Sequence, residues 1–356
     1  MQKLMKCKLF AAAIAAALIS GCSQDSDNTG GVKTFHYDIA DYNVSDVEYE
    51  EIPFSRKFIH AHSFYVYADS ILVVVNSNSA DNFIEFHNIN TKECITKCLR
   101  KGNGPNEIIN CHAYLYGDKL VVDDFVKSRF VSIDMDRLAE EGAEYKLEDL
   151  SQYQGNFEAI TVYPTDSGKL LMMNPYCFES KQLKIDNKEP RFYYNERKFR
   201  DGLAQTYNIA QGYMQINHRD SLIVFASFAE PLMELYDFNL NCLKKVTGPT
   251  DMKVTYHKNL AFKNHGAYSY MSLAADDVNI YALYVGNQKD NAIEKPKPYT
   301  HILRYDWDCV LHDVAIVPLR LNAISETSDE NTFYASGYDK DGVKVLYKLT
   351  CTSWND

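Results

Sequence analysis

The chain has 356 residues, 46% of them hydrophobic, with 26 tyrosines and 18 phenylalanines, a composition that supplies a large core and favours strands. Its formal net charge of −11 comes from acidic residues spread along the chain without a basic stripe. That excludes a grip on phosphate backbones, so no nucleic-acid partner is expected. Length alone allows one large or two ordinary domains; only internal repetition can choose.

Residues 1–21 have the form of a signal peptide. Lys3, Lys6 and Lys8 lead into an apolar run over 9–19, and Ser20-Gly21-Cys22 follows. The run is far short of the roughly twenty residues a spanning helix needs. Ile19-Ser20-Gly21-Cys22 resembles a bacterial lipobox, which implies lipid on Cys22 and an anchor that does not cross the membrane. The alternative is an ordinary signal peptide with a chance cysteine. Residues 22–31 are polar and end in glycines, so they cannot bury a core and read as a tether to a folded unit over 32–356. Acidic residues behind the lipidated cysteine resemble the surface-export signal of Bacteroidetes lipoproteins. Outer membrane is the expected location, with either face open.

Beyond residue 31 one pattern keeps returning: an aromatic strand, an aspartate-bearing turn and a second apolar strand. The turn aspartates stand at Asp69, Asp118, Asp166, Asp220, Asp277 and Asp329, at intervals of 49, 48, 54, 57 and 52. A period near fifty made of short strands predicts an all-β, six-bladed β-propeller. Residues 32–40 form a lone strand ahead of the first repeat, and the last repeat lacks an outer strand. The N-terminal strand at 32–40 is therefore expected to complete the last blade beside 343–350, protecting an exposed edge.

The blades are read as follows. The first takes 63–68, 71–76, 83–89 and 94–99. The second takes 111–116, 120–125 and 129–134, a helical decoration at 135–141, and a poor outer strand near 145–150. The third takes 159–163, 170–174 and 191–195, with a polar insertion over 177–190. The fourth takes 211–217, 222–227, 233–237 and 242–247. The fifth takes 267–273, 280–285, 301–305 and 310–316, with an insertion over 286–298 stiffened by Lys295-Pro296-Lys297-Pro298. The sixth takes 321–328, 332–337 and 343–350.

Gly102-Asn103-Gly104-Pro105-Asn106-Glu107 sits where the chain crosses from the rim of blade one back to the axis, and Thr247-Gly248-Pro249 echoes it after blade four. With the lipobox and the repeat count, this crossover resembles the TolB-like six-bladed propeller lipoproteins of Bacteroidetes. Family members more often carry Arg between the glycines and an aromatic after the glutamate, where this chain has Asn103 and Ile108. The resemblance implies fold and envelope location and supplies no activity. No helix start or Walker lysine-hydroxyl pair follows the glycines, which argues against a phosphate cradle.

Without Cys7 and Cys22, seven cysteines remain, an odd number, so at least one stays a thiol. Cys94 and Cys98 are roughly 13 Å apart along a strand, too far to bridge. Cys94, Cys242 and Cys309 fall at matching points of three repeats, which predicts a small buried packing slot rather than metal or redox work.

The innermost strands of a propeller begin near the axis, so their first residues converge on one channel mouth. There the sequence places His60, His62, His112, Asn156, Glu158, Gln211, Tyr213, His265, Tyr268 and Asn322. His62, His112, Glu158 and His265 form a candidate divalent-metal set, since imidazole with carboxylate suits a first-row ion that could activate water. With Tyr213 they form the candidate ligand site. The bland alternative is that they hydrogen-bond blade to blade around a wet channel. Asp123-Asp124 is a calcium-ligand pair or a solvated strand end. The tyrosines are mostly inter-blade packing, with a few free to stack on sugars.

No Gly-x-Ser-x-Gly elbow, His-Glu-x-x-His helix or paired carboxylates stand out, and no catalytic residue is assigned. The leading expectation is a non-catalytic binding or scaffold module, lipid-anchored at the envelope, for a protein or glycan partner. A metal-assisted hydrolase, lactonase or lyase working in the channel is the second, and an envelope-assembly protein the third.

Overall fold

The computed structural model describes residues 32–354, except 56, 59–60, 77–80, 125, 142–144, 152–160, 165–169, 175–179, 186–187, 195–211, 229, 250–254, 258–259, 264–268, 286–298 and 340. The signal segment, Cys22 and the tether lie outside the described residues.

Three short strands come first: β1 (Lys33–His36), β2 (Val44–Asp46) and β3 (Glu48–Ile52). The first sheet follows, with β4 (Ser63–Tyr67), β5 (Ile71–Val75), β6 (Asn82–Asn88) and β7 (Cys94–Arg100). The second has β8 (His112–Tyr116), β9 (Lys119–Asp124), β10 (Arg129–Asp134), the helix α1 (Met135–Glu141) and β11 (Leu147–Asp149). The third is β12 (Thr161–Pro164), β13 (Leu170–Asn174), β14 (Ser180–Ile185) and β15 (Arg191–Tyr194). The fourth is β16 (Gly212–Asn217), β17 (Leu222–Ser227), β18 (Leu232–Asp237) and β19 (Cys242–Thr247), followed by the ribbon β20 (Thr255–His257) and β21 (Leu260–Lys263). The fifth is β22 (Tyr270–Ala275), β23 (Asn279–Tyr284), β24 (Thr300–Asp306) and β25 (Leu311–Val317). The sixth begins with β26 (Leu321–Glu326), β27 (Thr332–Tyr338) and β28 (Lys344–Thr350). Among the described residues these make six sheets of four or five strands, apart from the ribbon.

The second strand of a sheet has a neighbouring sheet on both faces, so it must be apolar throughout. All five residues of β5, Ile-Leu-Val-Val-Val, are buried. Each such side chain contributes about 1.5–3 kcal/mol by leaving water. Every interval between consecutive sheets holds its own hydrophobic cluster. Val75 and Phe86 meet Leu120 and Val122 between sheets one and two, and Val121 and Phe130 meet Met172 between two and three. Leu171 and Leu183 meet Ile223 and Phe225 between three and four, and Val224 and Met233 meet Tyr284 and Leu303 between four and five. Leu283 and Ile302 meet Phe333 and Leu349 between five and six. The circle closes where Phe64, Leu72 and Val74 meet Tyr334 and Leu346 between six and one.

The innermost strands are stitched as well. Tyr65 Oη donates to the Ala113 carbonyl (3.0 Å) and Gln215 Nε2 to that of Leu273 (2.9 Å). The Ile324 amide donates to Ser272 Oγ (3.3 Å), and the Val66 amide to Ser325 Oγ (3.2 Å).

The N-terminal strand does not complete the last sheet. β1 instead runs parallel along β19, Lys33 opposite Lys244. β2 runs parallel along β25, and it is β3 that pairs antiparallel with β28 and supplies the missing outer strand. Aromatic anchoring explains the placement. Tyr37, just past β1, is buried between sheets four and five, donates to the Cys309 carbonyl (3.2 Å) and meets Tyr305 edge-on at 6.5 Å. Lys244 Nζ lies over the Phe35 ring at 4.3 Å. β3 is matched by charge, with Glu50 opposite Lys348 and Tyr49 edge-on to Tyr347 at 6.3 Å. The segment thus straps the outer edges of sheets four, five and six before the first sheet begins.

A second correction concerns sheet three. Its third strand is β14, inside the expected insertion, and Arg191–Tyr194 is its fourth. The segment Ser-Lys-Gln-Leu-Lys-Ile reads as polar because its two apolar residues, the buried Leu183 and Ile185, stand on one face with Lys184 between them. Helix α1 forms as expected, its first turn capped by Asp134 Oδ1 accepting from the Arg137 amide (3.0 Å).

The glycine crossover is a self-satisfied turn. Glu107 Oε2 accepts from the Gly104 amide at 2.8 Å, and a Cβ on Gly102 would lie 2.0 Å from the same oxygen. Lys127 Nζ binds the Gly104 and Glu107 carbonyls at 3.0 and 2.7 Å. A carboxylate fills the place an anion would take.

Candidate functional site

The ring has two mouths. At the one where inner strands begin, His62 and His112 stand with ring centroids 6.5 Å apart. Burial lowers the pKa of both imidazoles. The Lys344 charge adds to the effect at His62, and His62 adds to it at His112. Both are neutral at pH 7, the form that ligates metal. Glu158 and His265, the other two expected metal ligands, lie outside the described residues, as do His60, Asn156, Gln211 and Tyr268. Tyr213 is half-buried on the cluster between sheets four and five and meets Phe228 edge-on at 6.5 Å. Asn322 Oδ1 accepts from Ser336 Oγ at 2.9 Å.

Asp123 and Asp124, at the end of β9, are both buried and differ in role. Asp124 ties the crossover, accepting from the Ile109 amide at 2.7 Å and from the Val126 and Lys127 amides at 3.2 Å. Asp123 is pushed up to about 8 by burial and by Asp124, so it is largely protonated at neutral pH. A solvated strand end is therefore not the reading for either.

A cavity lies at the other mouth, where inner strands end and turn back. It has a volume of about 900 Å³ and draws its walls from sheets one, two, four, five and six. Tight turns aim these ends at the axis: Ala68 and Asp69 both have positive φ (46° and 53°), as does Gly117 (53°). Asp69, Asp118, Asp276, Asp277 and Glu326 line the cavity with Lys119 and His218, so its charge is predominantly negative.

Several of these groups already have work. Asp69 Oδ2 accepts from the Ser328 amide (2.9 Å) and Oγ (2.5 Å), joining sheets one and six. Asp69 Oδ1 is buried with no donor among the described residues. Asp276 caps its own turn through the Val278 and Asn279 amides (2.6 Å each) and accepts from Tyr281 Oη (3.0 Å). Tyr116 Oη and His218 Nε2 are 3.2 Å apart, linking sheets two and four. Glu326 is different. Burial first, and then the Asp276 and Asp277 charges, push its carboxyl up to about 7.

The cavity that the described residues enclose thus lies at the mouth opposite the one the sequence reading considered. The signal was present: Asp69, Asp118 and Asp277, used to count repeats, are cavity-lining residues.

No family model matches the chain, and no curated protein matches it. Among solved structures, a DUF4221-family member from Bacteroides vulgatus aligns at TM-score 0.52 and 13% identity, over 86% of this chain and 99% of that one. A luciferin-regenerating enzyme aligns at TM-score 0.50 and 11% identity, over 86% and 96%. Likenesses this distant speak to fold, and with the ring of packed sheets they agree. The chain is an all-β propeller. The cavity is the turn-end mouth of the propeller's axial channel.

Proposed function

We propose that this propeller is a non-catalytic binding module of the cell envelope, six-bladed and tied to the outer membrane through lipid on Cys22, that takes the terminal sugars of a glycan in its axial cavity. The cavity of about 900 Å³ carries the reading. It is the size of a small-ligand site. Its carboxylates and the Gln215 amide accept from sugar hydroxyls, while Leu115, Ile216, Leu273 and Ile324 offer apolar surface to ring C–H faces. The lipobox at residues 19–22 supports the envelope location.

Glycan-array screening followed by calorimetry tests this. Glu326→Gln and Asp277→Asn are each expected to weaken binding about tenfold or more, because each removes a charged acceptor. Affinity is expected to fall as the pH drops through about 7, where Glu326 takes up a proton, and to stay flat there in Glu326→Gln. Binding indifferent to both substitutions, or no glycan bound at all, sinks the reading.

One observation favours a second reading, hydrolysis in the same cavity. A carboxyl at about 7 beside Asp276 and Asp277 can take and return a proton at neutral pH. Turnover of a lactone or glycoside that Glu326→Gln abolishes with binding intact would select it.

A further inference from the structure

Three ligating side chains converge on the outer half of the first blade, away from the axial cavity. Glu85 and His87 are two apart on β6, so strand alternation puts them on one face. A bulge between Phe86 and His87 sets Cys94 of β7 opposite His87. One ligand atom from each, carboxylate oxygen, ring nitrogen and sulfur, lies within 4.8 Å of the others. His87 Nε2 is already 3.0 Å from Glu85 Oε2. The rings of Phe54 and Phe58 close on the imidazole at 6.2 and 5.2 Å, and Glu85 and His87 are buried while Cys94 is exposed.

The fourth blade repeats this scaffold with one difference. Tyr236 pairs with Cys242 across a bulge at the same place, and Tyr236 Oη donates to Glu234 Oε2 at 2.7 Å. Lys245 stands 3.6 Å from Glu234, as Lys97 stands 3.6 Å from Glu85. The first blade carries an imidazole where the fourth carries a phenol, and that single departure assembles a nitrogen, oxygen and sulfur donor set.

We propose that Glu85, His87 and Cys94 bind one zinc ion, clipping β6 to β7, with water completing the tetrahedron on the exposed side of Cys94. Zinc ligands in a tetrahedron stand about 3.3 Å apart for nitrogen and oxygen and about 3.6 Å when one is sulfur. The imidazole and carboxylate are nearly in place at 3.0 Å, and the thiol lies within 4.8 Å of both. Thiolate with imidazole selects zinc over calcium or magnesium. Asn76 Nδ2 (3.3 Å) and Lys97 hold Glu85 Oε1, while Oε2 faces His87 Nε2. The cysteine slot read from the sequence as packing is thus, in blade one, an exposed ligand.

The test strips the purified full chain with a chelator and titrates it with zinc and with cobalt(II). The wild type is expected to bind zinc and to give a cobalt spectrum with a thiolate charge-transfer band and intense tetrahedral d–d bands. Cys94→Ser, at an exposed position, and His87→Tyr, which copies blade four, are expected to lose the thiolate band and weaken zinc binding at least about 100-fold. A thiolate band that survives Cys94→Ser, or a wild type that binds zinc no better than Cys94→Ser, overturns the proposal. That comparison decides even if His87→Tyr fails to fold.

Discussion

A chain started at Pro53, without β1, β2 and β3, is expected to unfold several kcal/mol more easily than one started at Val32, and to aggregate on concentration. β28 is the edge that β3 covers, over the register Leu346 opposite Ile52 through Thr350 opposite Glu48. Removing β3 bares a row of amides and carbonyls on a strand whose Leu346 and Leu349 belong to the clusters joining its sheet to its neighbours. Total stability of a domain is only about 5–15 kcal/mol, so this loss is a large part of it. A chain started at Asn43 keeps β2 and β3 and loses β1, the Tyr37 anchor and the Ile39 and Tyr42 contacts, and is expected to fall between the two. Urea midpoints and light scattering of the three chains give the answer. A Pro53 start as stable and monodisperse as the Val32 start would show that β3 does not close the ring.

The second large effect is expected at Lys344, which is 3% exposed. Burial drives its ammonium down to about 7, and no carboxylate among the described residues contributes to holding its charge. Its Nζ lies 3.3 Å from Tyr338 Oη and 4.3 Å above that ring, a partial compensation. The unfolded lysine titrates near 10.4, so between pH 7 and 10 the unfolded chain binds a proton that the folded chain does not. Stability from this group therefore rises with pH across that window, by about 1.4 kcal/mol per unit at most, and is lost as the pH falls through about 7. Lys344→Met is expected to be the more stable protein at pH 6 by roughly 2–4 kcal/mol, and the gap is expected to close toward pH 10. A pH-independent gap, or a less stable methionine variant, would show that the amine is satisfied where it sits.

How much of this was legible in the residues differs from element to element. Central strands such as Ile71–Val75 announce themselves because a strand covered on both faces can hold little but apolar side chains. Rim strands do not. Ser180–Ile185 sets Leu183 and Ile185 among polar residues, and Glu48–Ile52 is exposed over its first four positions, so neither stands out in the sequence as a strand. The histidine pair His62 and His112 was legible because a strand start has a fixed place on the axis. The cavity at the opposite mouth was not, because its character comes from carboxylates of four sheets that only closure of the ring sets facing one another.

The sequence by itself determined the all-β repeat, the apolar spine of each blade and the crossover turns, since these follow from local periodicity and from steric limits within a few residues. The tertiary structure alone decided which N-terminal strand joins which blade, which mouth carries the cavity, and that Glu85, His87 and Cys94 meet. Those outcomes depend on pairing register and on the field of distant charges, and neither is written in any short stretch of chain.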